Sequence, residues 1–364
     1  MEDTSAALRR LADRVRAAAS DGAALEIRGG GTKRFYGEAP RGETLLTTDL
    51  VGISSYEPTE LVVTVRAGTP LAELEAVLAA RGQCLAFEPP RFAPQGTVGG
   101  MVAAGLSGPA RASVGAVRDF VLGVSLLNGR GEYLTFGGQV MKNVAGYDVS
   151  RLQAGAWGIL GLLCEVSLKV LPVRPATLTL SWARDEAAAL ADLLRWSAQP
   201  LPLHASSWLD GRLYLRLAGA SAAVEEARTL LGGTALIPEE AARWWDGLRD
   251  HAHEFLQPDA QALAQGDCLW RLSVPAKTPA LALPGRQLIE WGGSLRWWRT
   301  AAPAEGVRAA AAAAGGHATL VRAADKTCGA FAPLAPALLR IHQDLKTAFD
   351  PTHVLNPGRL YAGL

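Results

Sequence analysis

The chain has 364 residues, of which 49% are hydrophobic and 20% charged, and its formal net charge is +1. A domain usually takes about 100–200 residues, so this length suits two or three domains, and the apolar content excludes a wholly disordered chain. The balanced charge gives no electrostatic footprint for nucleic acid or for an anionic membrane surface. No apolar run reaches the roughly 18 residues of a membrane span, and the first residues lack the pattern of a signal peptide.

The four cysteines are far apart and form no CxxC motif; they are Cys84, Cys164, Cys268 and Cys328. This spacing predicts neither a disulfide framework nor an iron–sulfur or zinc site, so no metal is expected on this chain. A reducing, cytoplasmic setting fits the cysteine content best.

The first 175 residues are predicted to alternate short strands, glycine-rich loops and helices. The expected elements are a helix over 1–20, strands over 24–28, 45–47 and 61–65, a helix over 70–80, and strands over 119–127, 132–135 and 160–171. Residues 52–58 are expected to form a connection, and Thr69 is expected to cap the second helix. Pro172 and Pro175 mark the end of this part.

The composition changes after residue 175, because nine of the ten tryptophans lie there. Strands and helices intermix along this part, which indicates an α+β sheet layered with helices. The expected elements are a strand over 176–183, a helix over 185–196, a hairpin over 206–217, helices over 222–231 and 238–255, strands over 269–274, 287–291 and 294–299, a helix over 303–314, a strand over 317–322 and a helix over 333–349.

A glycine-rich loop, Gly29-Gly30-Gly31, follows the first expected strand and is flanked by the cations of residues 28, 33 and 34. The glycines allow positive φ and a close backbone approach, and the cations could offset a diphosphate. A surface turn that needs glycine only for its geometry explains this loop equally well. The loop matches neither the dinucleotide fingerprint GxGxxG nor the phosphate loop GxxxxGK[ST].

A second segment of small residues covers 94–108 and contains Thr97-Val98-Gly99-Gly100. This segment is expected to be a loop, and because its glycines and alanines have little side-chain bulk, something else could fill the space beside it. Two such loops, one of them cationic, suit a long cofactor with a diphosphate and two ring systems. A third glycine cluster, over 155–161, precedes a buried strand whose backbone could meet an adenine edge.

Five ordered motifs and a C-terminal stretch stand out along the chain. They are residues 28–32, residues 94–108, Arg118-Asp119 with the strand after it, the run Lys142-Asn143-Val144-Ala145-Gly146-Tyr147-Asp148, residues 158–161, and the stretch DPTHVLNPGR over 350–359. Together they resemble the vanillyl-alcohol-oxidase/PCMH family of FAD flavoproteins. Within that family, the run over 142–148 and the short chain look most like the FAD-binding E-type subunits of glycolate oxidases, rather than the longer D-type subunits.

The resemblance implies an α+β fold in three parts. A PCMH-type FAD-binding domain of two subdomains would cover 1–175, a smaller α+β cap domain 176–332, and a C-terminal helix and tail, returning to the first domain, 333–364. The resemblance also implies FAD held by Gly29, Gly30, Gly31, Thr32 and Lys33 at the pyrophosphate, by Thr97, Val98, Gly99 and Gly100 at the diphosphate and isoalloxazine, by Gly105, Ser107 and Gly108 along the ring, by Asp119, by Gly161 and Val166 at the adenine end, and by Asn356 near the flavin.

The mode of flavin attachment also follows from the resemblance. Covalent attachment in this family commonly uses histidine, sometimes with cysteine. No histidine occurs in the first 203 residues, and neither glycine loop contains a cysteine. Non-covalent, dissociable FAD is therefore expected.

One feature of the catalytic 2-hydroxyacid members is missing, namely a pair of histidines that ligate a divalent metal in the second domain. The comparable stretch, 315–322, keeps His317 alone. His317 is a candidate base and Arg322 a candidate carboxylate clamp, although a structural histidine and a solvated or paired arginine are the commoner roles. Lys142 and Tyr147 lie in a run that approaches the flavin in relatives.

Three functions stay open. The first is the FAD-binding subunit of a glycolate oxidase complex, in which a D-type flavoprotein sister subunit oxidises glycolate or a related 2-hydroxyacid and electrons pass through flavin to an Fe–S partner subunit. The second is a self-sufficient FAD-dependent oxidase or dehydrogenase of another alcohol or hydroxyacid. The third is a non-catalytic scaffold stabilised by FAD. A cytoplasmic location is expected, with peripheral attachment to the inner membrane only through partners.

Overall fold

The computed structural model of the chain describes residues 2–139 and 147–364. The polypeptide divides into two units. The first contains Met1–Leu106, Ala116–Pro172 and Pro333–Leu364, and the second contains Ser107–Gly115 and Val173–Ala332. The chain therefore leaves the first unit twice and returns to it each time.

The helices and strands of the described residues follow in chain order. The helices are α1 (Glu2–Asp21), α2 (Leu71–Ala79), α3 (Val98–Ala104), α4 (Arg111–Val114), α5 (Val117–Phe120), α6 (Val149–Leu152), α7 (Glu186–Ser197), α8 (Ser221–Leu231), α9 (Pro238–Arg249), α10 (Ala260–Ala264), α11 (Ala304–Ala313) and α12 (Pro336–Phe349), with 3₁₀ turns over Glu254–Leu256 and Trp291–Gly293. The strands are β1 (Leu25–Arg28), β2 (Glu43–Leu46), β3 (Ile53–Glu57), β4 (Val62–Arg66), β5 (Gln83–Cys84), β6 (Val121–Leu127), β7 (Tyr133–Gly137), β8 (Leu162–Lys169), β9 (Leu171–Pro172), β10 (Ala176–Ala183), β11 (Leu203–Leu209), β12 (Arg212–Gly219), β13 (Thr234–Ala235), β14 (Cys268–Ser273), β15 (Arg286–Glu290), β16 (Leu295–Thr300) and β17 (His317–Arg322).

The first unit is built on a parallel pair and an antiparallel sheet. β1 pairs with β2 in parallel, and the five-stranded sheet has the order β3-β4-β8-β6-β7. α1 places Leu11, Val15 and Ala18 on one face, as the helical period dictates, and packs them against Leu25 of β1 and Leu45 of β2. The C-terminal tail runs beside β1, where residue 25 forms a parallel bridge with residue 355.

Strand β3 corrects the prediction that residues 52–58 are a connection. It pairs antiparallel with β4 from Ile53 to Glu57. β3 is an edge strand, half exposed and rich in serine, so it lacks the apolar alternation that marks a strand in sequence. Thr69 is also not the cap of α2, because Pro70 occupies that position and the Thr69 hydroxyl accepts a hydrogen bond from the Gly52 N–H at 2.9 Å.

Helix α3 corrects the prediction that residues 94–108 form a small-residue loop. Its sequence, VGGMVAA, contains two glycines that disfavour a helix by about 1 kcal/mol each. Tertiary packing overrides this preference, because Val98, Met101 and Val102 are almost fully buried. The Thr97 side chain accepts a hydrogen bond from the N–H of Gly100 and so caps the first turn.

An eight-stranded antiparallel sheet forms the centre of the second unit, in the order β13-β10-β12-β11-β15-β16-β14-β17. α7 and α8 pack on it through a buried cluster that includes Leu193 of α7, Val224 of α8 and Leu215 of β12. α11 packs with Trp270 of β14 and Trp298 of β16. The second unit thus combines helices with a β-sheet, as the intermixed helices and strands predicted from the sequence indicate.

The helix expected over 238–255 ends early, at Arg249. His251 follows with a φ of 52°, a left-handed conformation that stops the helix, and its ring is buried edge-on against Trp297. Burial, together with the positive charges of Arg322 and Arg271, lowers the pKa of His251 to about 3. Among the described residues, no helix is both long and apolar enough to cross a bilayer.

The buried cluster of α7, α8 and β12 gives a stability prediction. Leu215 is 1% exposed, so Leu215→Ala should remove buried methyl groups, leave a cavity and cost about 2–5 kcal/mol of unfolding free energy. Urea unfolding followed by tryptophan fluorescence measures the loss, since nine of the ten tryptophans lie beyond residue 175. Leu230→Ala on α8 is the control, because Leu230 is 65% exposed and should change stability by no more than about 0.5 kcal/mol. Equal losses in both variants would contradict this packing.

Candidate functional site

A cleft lies in the first unit and is lined by residues from several parts of the chain. Three segments form its walls: residues 26–34 of β1 and its loop, residues 97–104 around α3, and residues 157–163 before β8. The C-terminal tail adds Asn356 and Arg359. The fold therefore brings together segments that are far apart in sequence.

Glycine is required where two of these walls meet. A Cβ atom at Gly30 would overlap the carbonyl oxygen of Gln95. A Cβ atom at Gly99 would lie 2.7 Å from the Cβ of Ala67, closer than two side chains approach. The glycines therefore serve the approach of one loop to another as well as the access of a ligand to the backbone.

The cleft carries an excess of positive charge. Its lining includes Arg28, Lys33, Arg34 and Arg359. Glu26 is the carboxylate among the lining residues, and its Oε1 lies 3.4 Å from the Nε of Arg34. Burial lowers the pKa of Lys33 to about 8 and that of Arg359 to about 10. An anionic group such as a diphosphate would be favoured in this field.

The Asn356 side chain joins the C-terminal tail to two walls of the cleft. Its Oδ1 accepts a hydrogen bond from the Ile27 N–H at 2.6 Å, and its Nδ2 donates to the Trp157 carbonyl at 2.6 Å. A Cβ atom at Gly158 would lie 2.8 Å from that Nδ2, so the contact needs glycine there. Asn356 lines the cleft, and these two contacts give its amide a role in holding the backbone of the walls.

A buried ion pair holds the same tail. Lys346 of α12 and Asp350, the residue after the helix, are fully buried. The Lys346 Nζ donates to the Asp350 Oδ2 at 2.6 Å. Nζ also donates to the carbonyls of Ile159, at 2.9 Å, and Leu355, at 2.7 Å. Burial lowers the pKa of Lys346, while the charge of Asp350 opposes this shift. Because Ile159 belongs to a cleft wall, the pair fixes α12, the tail and that wall together.

Trp157 and Arg359 lie inside motifs that the sequence analysis identifies, over 155–161 and 350–359, but the sequence assigns neither of them a role in the site. The Arg359 guanidinium lies 4.7 Å from the Trp157 ring centroid and donates to the carbonyl of Lys33 at 3.3 Å. The isolation of Trp157 is the signal available in sequence, since it is the one tryptophan before residue 175. Other lining residues without a sequence signal are Glu26, Ile27, Pro40, Thr47, Ala67, Ala103, Ala104 and Leu163.

Most of the predicted cofactor-binding residues line this cleft. They are Gly29, Gly30, Gly31, Thr32, Lys33, Thr97, Gly99, Gly100, Gly161 and Asn356. The others do not line it; they are Val98, Gly105, Ser107, Gly108, Asp119 and Val166.

The predicted residues outside the cleft have structural surroundings of their own. Val98 and Val166 are completely buried core residues. Gly105 ends α3 with a φ of 66°, which favours glycine. The Asp119 carboxylate accepts a hydrogen bond from the Ala116 N–H at 2.8 Å and so caps α5.

The other predicted residues either lie away from the cleft or are not among the residues that the structure describes. Ser107 and Gly108 belong to the second unit, where the Trp291 Nε1 donates to the Gly108 carbonyl at 3.0 Å. Lys142 and the rest of its run through residue 146 lie outside the described residues. Tyr147, the next residue, is 99% exposed.

The two candidate catalytic residues lie at opposite ends of one strand. His317 begins β17 and Arg322 ends it, and the register of this strand shifts by one residue just before Arg322. Desolvation and the charge of Arg271 lower the pKa of His317, and desolvation lowers the pKa of Arg322. Across residues 2–139 and 147–364, no group of three or more His, Cys, Asp or Glu is placed to hold a metal.

The residues of the cleft fit FAD. The loop over 29–33 lines the cleft with three glycines and with the buried Lys33, so its backbone and one amine would be available to a diphosphate. The lining contains four cations and one carboxylate, and a diphosphate would neutralise part of this excess charge.

Comparison with known proteins indicates that the chain contains an FAD-binding domain. Residues 7–137 match a family model described as an FAD binding domain. Over 354 residues, the chain is 46% identical to glycolate oxidase subunit GlcE of Escherichia coli, and the match covers 97% of each protein.

Other similar proteins share only part of their length with this chain. Glycolate oxidase subunit GlcD of Bacillus subtilis is 31% identical over 153 residues, which is 41% of this chain and 32% of that protein. D-lactate dehydrogenase of Archaeoglobus fulgidus is 29% identical over 147 residues, 40% of this chain and 33% of that protein. A solved structure of alkyldihydroxyacetonephosphate synthase has a TM-score of 0.62 at 14% identity, covering 95% of this chain and 75% of that one. This likeness confirms the expected fold class.

The glycine contacts predict the effect of single substitutions on flavin retention. Gly30→Ala and Gly99→Val should abolish co-purifying FAD, because their new side chains would collide with Gln95 and Ala67. Flavin absorbance of the purified protein measures retention, and tryptophan fluorescence checks that the second unit is still folded. Gly306→Ala is the control, since a Cβ at Gly306 of α11 meets nothing within 4 Å. Yellow protein from Gly30→Ala would contradict the role of this loop.

The buried ion pair predicts a non-additive pair of variants. Lys346→Met leaves Asp350 charged and buried, and should cost about 3–5 kcal/mol of unfolding free energy. The double variant Lys346→Met/Asp350→Leu removes both charges and should be more stable than the single variant. Urea unfolding of the two proteins compares them. A double variant less stable than Lys346→Met would show that the pair matters through its backbone contacts instead.

Proposed function

Because the chain belongs to the FAD-binding oxidoreductase family of glycolate oxidase subunit GlcE, we propose that it is the FAD-carrying subunit of a glycolate oxidase complex. The observation that carries this proposal is the cationic, glycine-walled cleft of the first unit, in a chain similar to that subunit over nearly its whole length. In this proposal the first unit, Met1–Leu106, Ala116–Pro172 and Pro333–Leu364, binds FAD.

The cleft residues have separate roles in holding the cofactor. The loop over 29–33 would bind the diphosphate, with Lys33 and Arg28 supplying charge and the glycine N–H groups supplying hydrogen bonds. Asn356 and the Lys346–Asp350 pair hold the walls in place through the backbone. Bound FAD supplies a carrier for two electrons, the number released when a 2-hydroxyacid is oxidised to a 2-oxoacid.

The hydroxyacid chemistry itself is proposed to take place on a D-type flavoprotein sister subunit. His317 stands alone where the resemblance places a pair of metal-ligating histidines, and this supports the assignment. We propose that this chain accepts or relays electrons toward an Fe–S partner subunit. The spacing of its four cysteines supports this assignment, since they form no cluster-binding motif.

Anaerobic reduction by glycolate tests the proposal. The flavin absorbance of the isolated chain should stay unchanged, and it should decrease when the D-type and Fe–S subunits are added. Since the D-type subunit carries flavin too, the same complex assembled with Gly30→Ala in this chain is the control. The difference between the two complexes reports the flavin of this chain.

Two other outcomes would replace the proposal. Rapid bleaching of the isolated chain would assign it a substrate site of its own and make it a self-sufficient dehydrogenase. A complex whose bleaching is the same with the Gly30→Ala chain would assign its FAD a structural role.

A further inference from the structure

Lys33 is a buried cation whose charge no carboxylate in the described structure balances. Its residue is 8% exposed, and it lines the cleft. Its Nζ donates to the Thr32 Oγ1 at 3.2 Å and lies 5.4 Å from the ring centroid of Phe92. Within residues 2–139 and 147–364, no Asp or Glu oxygen lies in ion-pair contact with this amine. A hydroxyl and an aromatic face compensate only part of the desolvation of an ammonium group.

The charged and titratable groups on the neighbouring elements do not replace a carboxylate. Glu26 of β1 is engaged by Arg34, and Arg91, next to Phe92, is engaged by Glu75. The remaining groups on these elements are Arg28 of β1, Tyr36 and Glu38 of the loop after it, and Arg359 of the tail. Burial is the cause of the lowered pKa of Lys33, and none of these neighbouring charges contributes to the shift.

We propose that Lys33 is the charge anchor of the cofactor diphosphate and that the protein takes up a proton there when FAD binds. This inference rests on the proposed FAD-binding function. The proton comes from solvent and adds to the lone pair of Nζ, and the resulting ammonium pairs with the phosphate oxygens. No bond of the cofactor changes, so the step is an acid–base equilibrium coupled to binding.

The pH dependence of FAD binding follows from the protonation of Lys33 in the free protein and in the complex. In the empty cleft, burial holds the pKa of Lys33 at about 8, so the amine is mostly protonated at pH 7 and mostly neutral at pH 9. A bound diphosphate favours the ammonium and raises this pKa. The complex then holds more protons than the free protein above pH 8, and affinity falls as pH rises. If the amine stays protonated in the complex, the dissociation constant for FAD should be about tenfold higher at pH 9 than at pH 7.

The other cleft residue with a lowered pKa, Arg359, titrates at a higher pH than Lys33. Burial lowers the pKa of Arg359 to about 10, while the charges of Glu26 and Glu38 oppose that shift. Between pH 7 and pH 9, Lys33 is therefore the group of this cleft that changes charge. Measurements in that range isolate its contribution.

Isothermal titration of the flavin-free full chain with FAD tests the inference, at pH 7 and pH 9 in two buffers of different ionisation enthalpy. The wild type should take up little proton at pH 7 and close to one proton at pH 9, with the tenfold weakening. Lys33→Arg keeps its charge throughout and should bind FAD with no proton uptake and no such weakening. Lys33→Met should bind weakly at both pH values. Lys277→Met, at an exposed site of the second unit, is the matched control and should behave like the wild type.

The outcomes separate this inference from the function on which it rests. FAD binding by the wild type with equal affinity and no proton uptake at both pH values would overturn the role of Lys33 while leaving the FAD site intact. The same weakening in Lys33→Arg as in the wild type would assign the titration to another group. Absence of FAD binding by the wild type and Lys277→Met at either pH would overturn the proposed function itself. Should Lys33→Met fail to fold, the comparison of wild type with Lys33→Arg still decides between these results.

Discussion

The architecture of the cleft depends on one ion pair that water does not reach. Lys346 and Asp350 are both fully buried, and the ammonium group donates to the carboxylate and to two backbone carbonyls. A buried pair offsets its own desolvation only when such additional hydrogen bonds are present. One carbonyl belongs to the cleft wall at Ile159 and the other to the tail at Leu355. The tail then reaches β1, where Asn356 completes the connection through Ile27.

In the part of the cleft formed by β1 and the loop after it, positive charges outnumber negative ones. Lys33, Arg28 and Arg34 lie close to one another, and Glu26 supplies one carboxylate among them. Like charges at short range disfavour the empty cleft, and an anionic ligand removes that cost. The first unit therefore combines a buried ion pair, which supports the walls, with a group of cations among which Glu26 is the one lining carboxylate. An anionic ligand such as a diphosphate would offset the positive charge that Glu26 leaves.

Sequence reasoning predicts the parts whose signal is local. β10 and β17 begin and end where the alternation of apolar residues places them. The glycines at 29–31 and 99–100 can be found because a close backbone approach needs glycine, wherever the partner loop lies. α3 and β3 escape prediction, since burial overrides the glycines of the first and an exposed edge hides the second. The contact between Trp157 and Arg359 is not predicted either, because it joins two sequence motifs about two hundred positions apart.

The return of the chain to the first unit sets the order in which the protein can be completed during synthesis. The walls at residues 26–34, 97–104 and 157–163 leave the ribosome before the main part of the second unit, Val173–Ala332. Asn356 and Arg359, and the ion pair at 346 and 350, emerge only after residue 332. Until then the unfinished cleft exposes its cations and the apolar surface that α12 will cover, which is the kind of surface that chaperones protect. Loading of the cofactor therefore belongs after translation, and truncation of the last twenty residues would remove the cleft even though most of its lining had been made.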